Sequence, residues 1–441
     1  MKRLFLFVII FSCCTPFLSK ANDGWKTVTE DPAYIHRTMK EVTDVIVHDI
    51  YSPPVACRIY AYVSIAGYEA AISSNKNYTS FAGQLHGLNP LPKPDASKQY
   101  SAGLSATHAM LLVAEALIIS EDTIKNFHNQ LLKEYKASGI PQTVYDSSLA
   151  YGKQIAVAIL GWAAKDQYKE TRALGKFAVL DDSITWKPTP PAYMQAIEPY
   201  WGRMRTFVLD SVKNFKPLPA IPFSTDTASE FYKQAIAVYN KGNSLTDEEK
   251  FIANFWDCNP FKMNVDGHVM YATKKISPGG HWINITALAC KQTKADIAKS
   301  TAAYACVSIT LADAFISCWD EKYRSIVIRP ETYINNHIDQ SWMPLLQTPP
   351  FPEYTSGHSV VSAASATILT KIFGDNFSYT DSTENEFGLH PRSFTSFNQA
   401  AEEAAVSRYY GGIHYDAAII NGLTEGRKIG NYVLNHLKMG D

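Results

Sequence analysis

Apolar residues recur at intervals of three and four along most of this chain, and no convincing stretch alternates between apolar and polar residues. That period is typical of α-helices with one buried face. In the N-terminal half it predicts helices over 34–51, 55–73, 103–119, 121–138 and 142–165. The sequence therefore predicts an all-α fold, built as a helical bundle with little or no β-structure.

Local signals mark where some of these helices begin and where the chain is irregular. Ser120 precedes the helix predicted at 121, and Thr246 stands three residues before Glu249, which is the spacing of a capping box. Clustered prolines between 185 and 224 predict long irregular connections. These connections are either loops over a helical body or a seam between subdomains.

The first residues are organised like an export signal. A basic Lys2-Arg3 pair precedes the apolar run 4–11, and 19–21 offers small residues at a cleavage site. We therefore expect 1–21 to be a signal peptide and the mature protein to be exported, either periplasmic or secreted. Alternatively, Cys13 or Cys14 could accept lipid, which would make the protein a bacterial lipoprotein.

Composition and charge narrow the class of partner. Of 441 residues, 46% are hydrophobic and 19% are charged, which is a globular composition, and the formal net charge is -1. Because this near-neutral balance gives no overall electrostatic attraction for a polyanion, we expect no nucleic-acid partner. Asp313 interrupts the most apolar later stretch, 300–319, so we expect no integral membrane segment in the mature chain. Five cysteines follow the signal without any Cys-x-x-Cys pair, so no disulfide framework is expected.

Two motifs in the last third of the chain offer groups that bind an oxyanion. Lys322 and Arg329 are seven residues apart, which places both on one face of a helix that Pro330 would end. The segment 356–358, Ser-Gly-His, would open an apolar helix, whose N-terminal amides favour an anion beside the histidine. Taken alone, these motifs are equally well explained by solvated basic residues and by a capping serine.

A third motif combines another arginine and another histidine. Arg408 and His414 flank Gly411-Gly412, where a break in the helix would bring the two side chains together. A helix beginning at His414 would then place the small residues Ala418 and Gly422 nearby and leave room beside the imidazole. A packed core histidine is the plainer alternative.

In this order and with these spacings, the three motifs resemble the signature shared by type 2 phosphatidic acid phosphatases and vanadium-dependent haloperoxidases. Flanking segments that look like the bacterial, iodoperoxidase-like branch are 255–257, 278–282, 319–322 and 349–354, so the resemblance covers about 250–430. It implies a haloperoxidase/acid phosphatase-like helical fold. The N-terminal helical region would be 22–240, and 241–441 would carry the vanadate site.

The resemblance implies a role for each cationic residue and for the predicted helix start. Lys322, Arg329 and Arg408 would neutralise the oxygens of vanadate. Ser356 and the Gly357 amide would donate further hydrogen bonds to it. Phosphate would compete for the same site, because it is also a tetrahedral oxyanion.

The resemblance also implies a reaction. His414 would bind vanadium through a ring nitrogen, and His358 would take a proton from hydrogen peroxide, which Lys322 would polarise. A halide would then be oxidised to hypohalous acid, with a small organic molecule as a conceivable acceptor. Acidic residues that could partner His358 or the basic cluster are Asp257, Asp313 and Asp320.

In the phosphatases the same constellation binds phosphate, with the histidine matching His414 as nucleophile and the one matching His358 as acid. Those enzymes carry an acidic residue four positions after the nucleophile, where this chain has Ala418. Asp416 is only two positions on, so His414 would depend on a carbonyl or a distant side chain. The sequence thus favours a haloperoxidase over a vanadate-inhibited acid phosphatase. A helical oxyanion-binding protein without turnover is a third hypothesis.

Two aromatic residues bear on the choice of halide. Trp319 and Phe351 match positions beside vanadate in haloperoxidases, and bromoperoxidases typically have histidine where Phe351 stands. Ordinary core packing would explain both residues equally well. Because the surrounding motifs look closest to marine bacterial iodoperoxidases, iodide is the expected halide.

Overall fold

The structure is a computed structural model that describes residues 24–73 and 75–440, so the predicted signal 1–21 lies outside the described residues. Helices and strands together cover most of the described chain. The α-helices are α1 (Gly24–Thr29), α2 (Ala33–His48), α3 (Pro53–Ile72), α4 (Ala102–Leu117), α5 (Glu121–Ala137), α6 (Gln142–Ala163), α7 (Tyr168–Arg172), α8 (Glu230–Gly242), α9 (Asp247–Phe255), α10 (Pro278–Gln292), α11 (Ile297–Ser325), α12 (Pro330–His337), α13 (Gly357–Phe373), α14 (Phe397–Tyr410) and α15 (Asp416–His436). Short 3-10 helices are Trp201–Arg203, Val212–Phe215 and Thr383–Phe387. The β-structure consists of two antiparallel pairs, β1 (Lys262–Asp266) with β2 (Val269–Thr273), and β3 (Tyr379–Asp381) with β4 (Arg392–Phe394). The predicted all-α fold is confirmed.

The helix-start signals had different outcomes. Thr246 and Glu249 form the predicted capping box at the start of α9, with each side chain bonded to the other residue's backbone N–H. Ser120 precedes α5 as predicted but does not cap it, because its hydroxyl donates to Asp49 Oδ1 at 2.5 Å. The hydroxyl therefore donates to a distant carboxylate instead of accepting a backbone N–H of its own helix.

Helix α11 lies at the centre of the fold. It is long and apolar enough to cross a membrane, but its apolar stretch is entirely buried inside the described protein. Asp313, also buried, accepts the backbone N–H groups of Phe207, Val208 and Leu209 at 2.6, 2.8 and 3.0 Å. The proline-rich connection is therefore anchored to α11 by a buried carboxylate.

The largest apolar core is continuous between the two halves of the chain. It extends from Trp25 to Leu437 and includes α3 and α11, which pack against each other. The division between 22–240 and 241–441 stays a prediction. The five cysteines in the described residues, namely Cys57, Cys258, Cys290, Cys306 and Cys318, are buried and free, as expected.

Helices α13 and α15 pack closely because α15 presents glycines to α13. A Cβ atom added to Gly426 would lie 2.1 Å from the carbonyl oxygen of Val360, and one added to Gly422 would lie 2.8 Å from Ser359 Cβ. The glycines after His414 thus serve helix packing, while His414 itself lines a cavity. The contact brings the start of α13 next to the start of α15.

Candidate active site

Lys322 and Arg329 reach one place from two different elements. Lys322 lies in the last turn of α11, which ends at Ser325 because Ile326 adopts a left-handed conformation with φ 49°. Arg329 lies just before α12, and Pro330 begins that helix. The prediction of one continuous helix ended by Pro330 is therefore wrong. Both cations nevertheless lie close to the Phe351 ring, at 5.2 and 5.1 Å from its centroid.

The Lys322 ammonium is fully buried and holds the segment before α13 in place. Its Nζ donates to the carbonyl oxygens of Pro352, Glu353 and Thr355 at 2.9, 3.0 and 2.5 Å. Burial disfavours the charged form and lowers the pKa of Lys322 to about 8. The lysine is thus a cation at neutral pH, positioned by three backbone acceptors.

The two arginines are also buried. Arg329 Nε donates to the carbonyl of Phe351 at 2.9 Å and Nη1 to that of Ile413 at 2.8 Å, while Nη2 has no partner among the described residues. Arg408, on α14, donates from Nη2 to the carbonyl of Trp256 at 2.7 Å. Burial lowers the pKa of both groups, that of Arg329 to about 10. Three buried cations with a spare donor form a site for an anion.

The segment 356–358 opens α13 as predicted. Ser356 is the N-cap, and its hydroxyl accepts the backbone N–H of Ser359 at 3.3 Å. Gly357 and His358 line a cavity together with Arg408 and His414. The free amides at the start of α13 therefore face the space between the arginine and the two histidines.

His358 is partly exposed, whereas the other side chains of the cluster are buried. Its ring makes a hydrogen bond to the backbone of Trp256, and its Nε2 has no partner among the described residues. Burial of the ring nitrogens, followed by the nearby Arg408 charge, holds the pKa of His358 well below its usual range. The imidazole is therefore neutral at pH 7 and can accept a proton at the cavity.

His414 is held in one orientation from both sides. Its Nδ1 lies 2.8 Å from Glu353 Oε1, and its Nε2 lies 3.1 Å from Arg329 Nη1. Since the guanidinium can only donate, Nε2 must accept and Nδ1 must carry the proton toward Glu353. Burial, and then Arg329, keep the pKa of His414 well below its usual range. A neutral imidazole with an Nε2 lone pair is suited to bind a metal or to act as a nucleophile.

The expected acidic partners of His358 are engaged elsewhere. Asp257 pairs with Lys275 at 2.7 Å, Asp313 binds backbone amides, and Asp320 lies 3.6 Å from Arg324. Of the three, Asp257 acts on the basic cluster, because its charge favours ionised Arg408. As a partner for His358, a backbone group has taken the place of the predicted carboxylate.

The aromatic residues form the apolar wall of the site. Trp319 and Phe351 both line the cavity, with ring centroids 4.9 Å apart. Lys322 Nζ lies 5.8 Å from the Trp319 centroid. A cation that lies over an aromatic ring within about 6 Å of its centroid is attracted by the negative face of the ring.

Comparison with solved structures shows to which family the chain belongs. The chain is 49% identical to a bacterial vanadium-dependent iodoperoxidase, described as the first such enzyme, whose crystal structure matches with a TM-score of 0.88 over 93% of this chain and 97% of that chain. This chain belongs to the vanadium-dependent haloperoxidases. The resemblance of its three motifs to that family is confirmed.

More distant comparisons agree with the fold of this haloperoxidase. Holo-type and apo-type structures of a bacterial vanadium-dependent chloroperoxidase match with TM-scores of 0.66 and 0.64, at 15% identity, over 88% of this chain and 94% and 95% of theirs. A sequence model of the VCPO second helical-bundle domain matches residues 302–439. No curated protein matches the chain.

Two buried carboxylates of the haloperoxidase site are absent from the sequence-based list. Glu353 accepts from His414 and from the Tyr415 amide, and Glu425 accepts from Ser317 Oγ at 2.8 Å and Thr355 Oγ1 at 2.9 Å. Glu353 stands in 349–354, a segment that had already been singled out, so its position beside the Ser-Gly-His motif was the available signal. For Glu425 we find no comparable local signal.

Glu425 gives a prediction on stability. Burial raises its pKa to about 7, so its contribution to folding is fully present below the ordinary value of 4.5 and is lost as pH rises through about 7. Glu425→Gln removes this titration. The wild type should lose stability relative to the variant as pH rises from 4.5 to about 7. The unfolding free energy of the variant minus that of the wild type should therefore rise by up to about 3 kcal/mol over this range. Thermal unfolding at several pH values measures this difference, and exposed Glu402→Gln is the control. A stability difference that does not change with pH would contradict the raised pKa of Glu425.

Proposed function

We propose that this haloperoxidase uses vanadate to oxidise a halide, with iodide preferred, by hydrogen peroxide, forming hypohalous acid. The arrangement that carries the proposal is the neutral His414 Nε2 among three buried cations. The unpartnered Arg329 Nη2 is a buried donor suited to an oxyanion. The residues therefore fit vanadate.

Each motif residue then has a place around the oxyanion. Lys322, Arg329 and Arg408 would balance its negative charge, while the Ser356 hydroxyl and the Gly357 amide would donate hydrogen bonds. His414 would ligate vanadium through Nε2, and Glu353 would hold the ring through Nδ1. When bound, vanadate supplies a Lewis acid that activates hydrogen peroxide without changing its own oxidation state.

The reaction needs a base at the cavity and a cation near the reacting oxygen. His358 fulfils the first need, because its ring is neutral, partly exposed and free at Nε2 to take a proton from hydrogen peroxide. Lys322 fulfils the second, because it remains charged at neutral pH within the apolar wall. We assign His358, Lys322 and His414 as the catalytic residues.

Support for iodide comes from the site wall and from the 49%-identical iodoperoxidase. Trp319 and Phe351 offer ring surfaces and no hydrogen-bond donor toward the cavity, since Trp319 Nε1 donates instead to the carbonyl of Ile197 at 3.2 Å. A large, weakly hydrated anion such as iodide loses the least hydration free energy when it moves next to such an apolar wall. Chloride and bromide would gain more from a donor there.

Purified mature protein tests the activity directly. We expect peroxide-dependent triiodide formation that requires added orthovanadate and is suppressed by phosphate. Iodide oxidation that is independent of vanadate would contradict the proposal. Full vanadium binding without any halide oxidation would leave a binding role instead.

Phe351→His gives a prediction on halide choice. An imidazole at this position adds a hydrogen-bond donor to the apolar wall, near the Lys322 and Arg329 cations. We expect the ratio of bromide to iodide oxidation rates to rise about tenfold, the effect of about 1.4 kcal/mol in transition-state stabilisation. Phe351→Leu, which keeps the wall apolar, is the control. Equal ratios in both variants would show that Phe351 does not select the halide.

One observation favours a second activity, phosphate-ester hydrolysis by the vanadate-free protein. The carboxylate that orients a nucleophilic histidine is present after all, because Glu353 occupies Nδ1 of His414 from a distant position. Hydrolysis of p-nitrophenyl phosphate that vanadate inhibits, with a phosphorylated His414 trapped during turnover, would establish it. If neither hydrolysis nor a phosphorylated His414 is found, phosphate only competes with vanadate for the site.

We also propose that the protein works outside the cytoplasm after removal of 1–21. The basic residues, apolar run and small residues of this segment support an export signal. Mass spectrometry of the N-terminus after expression in a bacterial host would show a mature chain beginning near residue 22. A lipid on Cys13 or Cys14 would identify a lipoprotein instead.

A further inference from the structure

Next to the oxyanion site lies a second, buried cluster that the proposed reaction does not use, and one of its members, Cys258, also lines the cavity. It consists of Cys258, His281, Glu384 and Asp381, each at most 2% exposed. Cys258 follows α9 in a loop, His281 lies on α10, Asp381 ends β3 and Glu384 lies in the 3-10 helix after it. Side chains from four separate elements thus converge on one point.

Three ligand-type atoms form a compact triangle in this cluster. His281 Nδ1 lies 3.4 Å from Cys258 Sγ and 3.3 Å from Glu384 Oε1, and the sulfur and that oxygen are 3.9 Å apart. In a tetrahedral zinc site with ordinary bond lengths, ligand atoms stand about 3.3–3.6 Å apart. Two edges of the triangle therefore match a site for one small divalent ion, and the third is slightly long.

The other ring nitrogen of His281 has the support that a metal-bound histidine requires. Its Nε2 lies 2.7 Å from Asp381 Oδ2, and that carboxylate also accepts the Thr383 amide at 2.9 Å through Oδ1. A carboxylate on the far nitrogen fixes the tautomer that leaves Nδ1 free to ligate. The cluster thus offers both a ligand set and the outer carboxylate that orients it.

The charge of the cluster is opposite to that of the vanadate site. The two carboxylates repel an oxyanion and attract a cation, whereas Lys322, Arg329 and Arg408 do the reverse. Cys258 would lose its thiol proton on binding a metal. A soft thiolate with an imidazole and a carboxylate is a donor set that suits zinc better than calcium or magnesium. We propose that Cys258, His281 and Glu384 bind one zinc ion, with a small molecule such as water in the fourth position.

The proposed zinc site would stabilise the wall of the vanadate site through Trp256. The Trp256 ring stacks on His281 with centroids 4.5 Å apart, and its carbonyl accepts Arg408 Nη2 at 2.7 Å and the Cys258 amide at 2.8 Å. The ring of His358 bonds to the same residue's backbone. An ion held by Cys258 and His281 would thus fix the residue that positions both Arg408 and His358.

Metal analysis of the full mature protein, equilibrated with excess zinc and then passed over a chelating resin, tests the proposal. We expect about one zinc per chain in the wild type. Cys258→Ala and Glu384→Gln should each bind zinc at least about tenfold more weakly. Cys290→Ala, a buried cysteine elsewhere on α10, should bind zinc like the wild type. Vanadium is measured in the same samples, so the two sites are judged separately.

Two readouts on the wild type keep the test decisive if a variant fails to fold. Zinc should raise the unfolding temperature of chelator-treated protein in a concentration-dependent manner. Cobalt(II) in place of zinc should show thiolate-to-metal charge-transfer absorption. The proposal is overturned if folded wild type neither retains zinc nor shows this absorption. The cluster would then be a buried ion pair in which the His281 imidazolium lies between Asp381 and Glu384. Unchanged zinc binding in folded Cys258→Ala would overturn the proposal equally.

Discussion

His414→Ala is expected to abolish vanadate retention and, with it, iodide oxidation. The wild-type imidazole lines the cavity, with Nδ1 bonded to Glu353 and the Nε2 lone pair accepting from Arg329, the contact that vanadium would replace. Removing the ring deletes the proposed protein–vanadium bond, while the cations keep only their electrostatic attraction for the anion. We expect vanadate affinity to fall by more than about 100-fold, the upper end of what changes beside a metal ligand cost.

His358→Ala separates binding from turnover and is the matched comparison. His358 lines the cavity without a partner at Nε2, so its loss should spare most vanadate binding and remove the base. Equilibrium dialysis with vanadate and triiodide formation should therefore respond differently in the two variants. Exposed His390→Ala should behave like the wild type in both assays. Full peroxidase activity in His414→Ala would show that the vanadium ligand lies elsewhere.

The sequence predicted the helices and the helix start at Ser356 well because their signals are local. Periodicity places the N-terminal helices within a few residues of their observed bounds, and Ser356 caps α13 because a serine followed by a glycine and an apolar run is a local helix start. The break at Gly411-Gly412 is likewise local, since Gly412 adopts φ 75°. Each of these features depends on a few adjacent residues.

The features that sequence analysis missed depend on contacts between distant segments. The end of α11 depends on Ile326 in a left-handed conformation, which a β-branched residue adopts only when tertiary contacts impose it. Glu353 reaches His414 from 61 positions away, whereas the carboxylate was sought within four residues of the histidine. Periodicity contains no information on either contact.

The same reasoning applies to the packing of the glycines after His414. Spacing alone shows that Gly422 and Gly426 share one face of a helix, and not what that face contacts. In the structure the face meets the α13 backbone, where even a methyl group on Gly426 would clash with Val360. What this glycine face packs against therefore becomes visible only when the partner helix is in place.

Glu353→Gln is expected to weaken vanadate binding by about 10- to 100-fold without unfolding the protein. The amide oxygen of glutamine can still accept from His414 Nδ1 and from the Tyr415 amide, so the geometry is retained and the negative charge is lost. That charge makes His414 a stronger ligand, because it favours electron donation through Nε2. The variant thus isolates the electrostatic part of the contact.

The pH dependence of this effect follows from the state of Glu353. Burial is the main cause that raises its pKa to about 7, although Arg329 and Lys322 oppose the shift. The wild-type carboxylate is therefore ionised above that pH and protonated below it, whereas glutamine does not titrate. We expect the ratio of wild-type to variant vanadate affinity to be largest above pH 7 and to approach one well below it. Glu69→Gln, which removes an equally buried carboxylate far from the site, should leave vanadate affinity unchanged at every pH. A wild-type to Glu353→Gln ratio that stays constant across this range would show that the carboxylate acts through geometry alone.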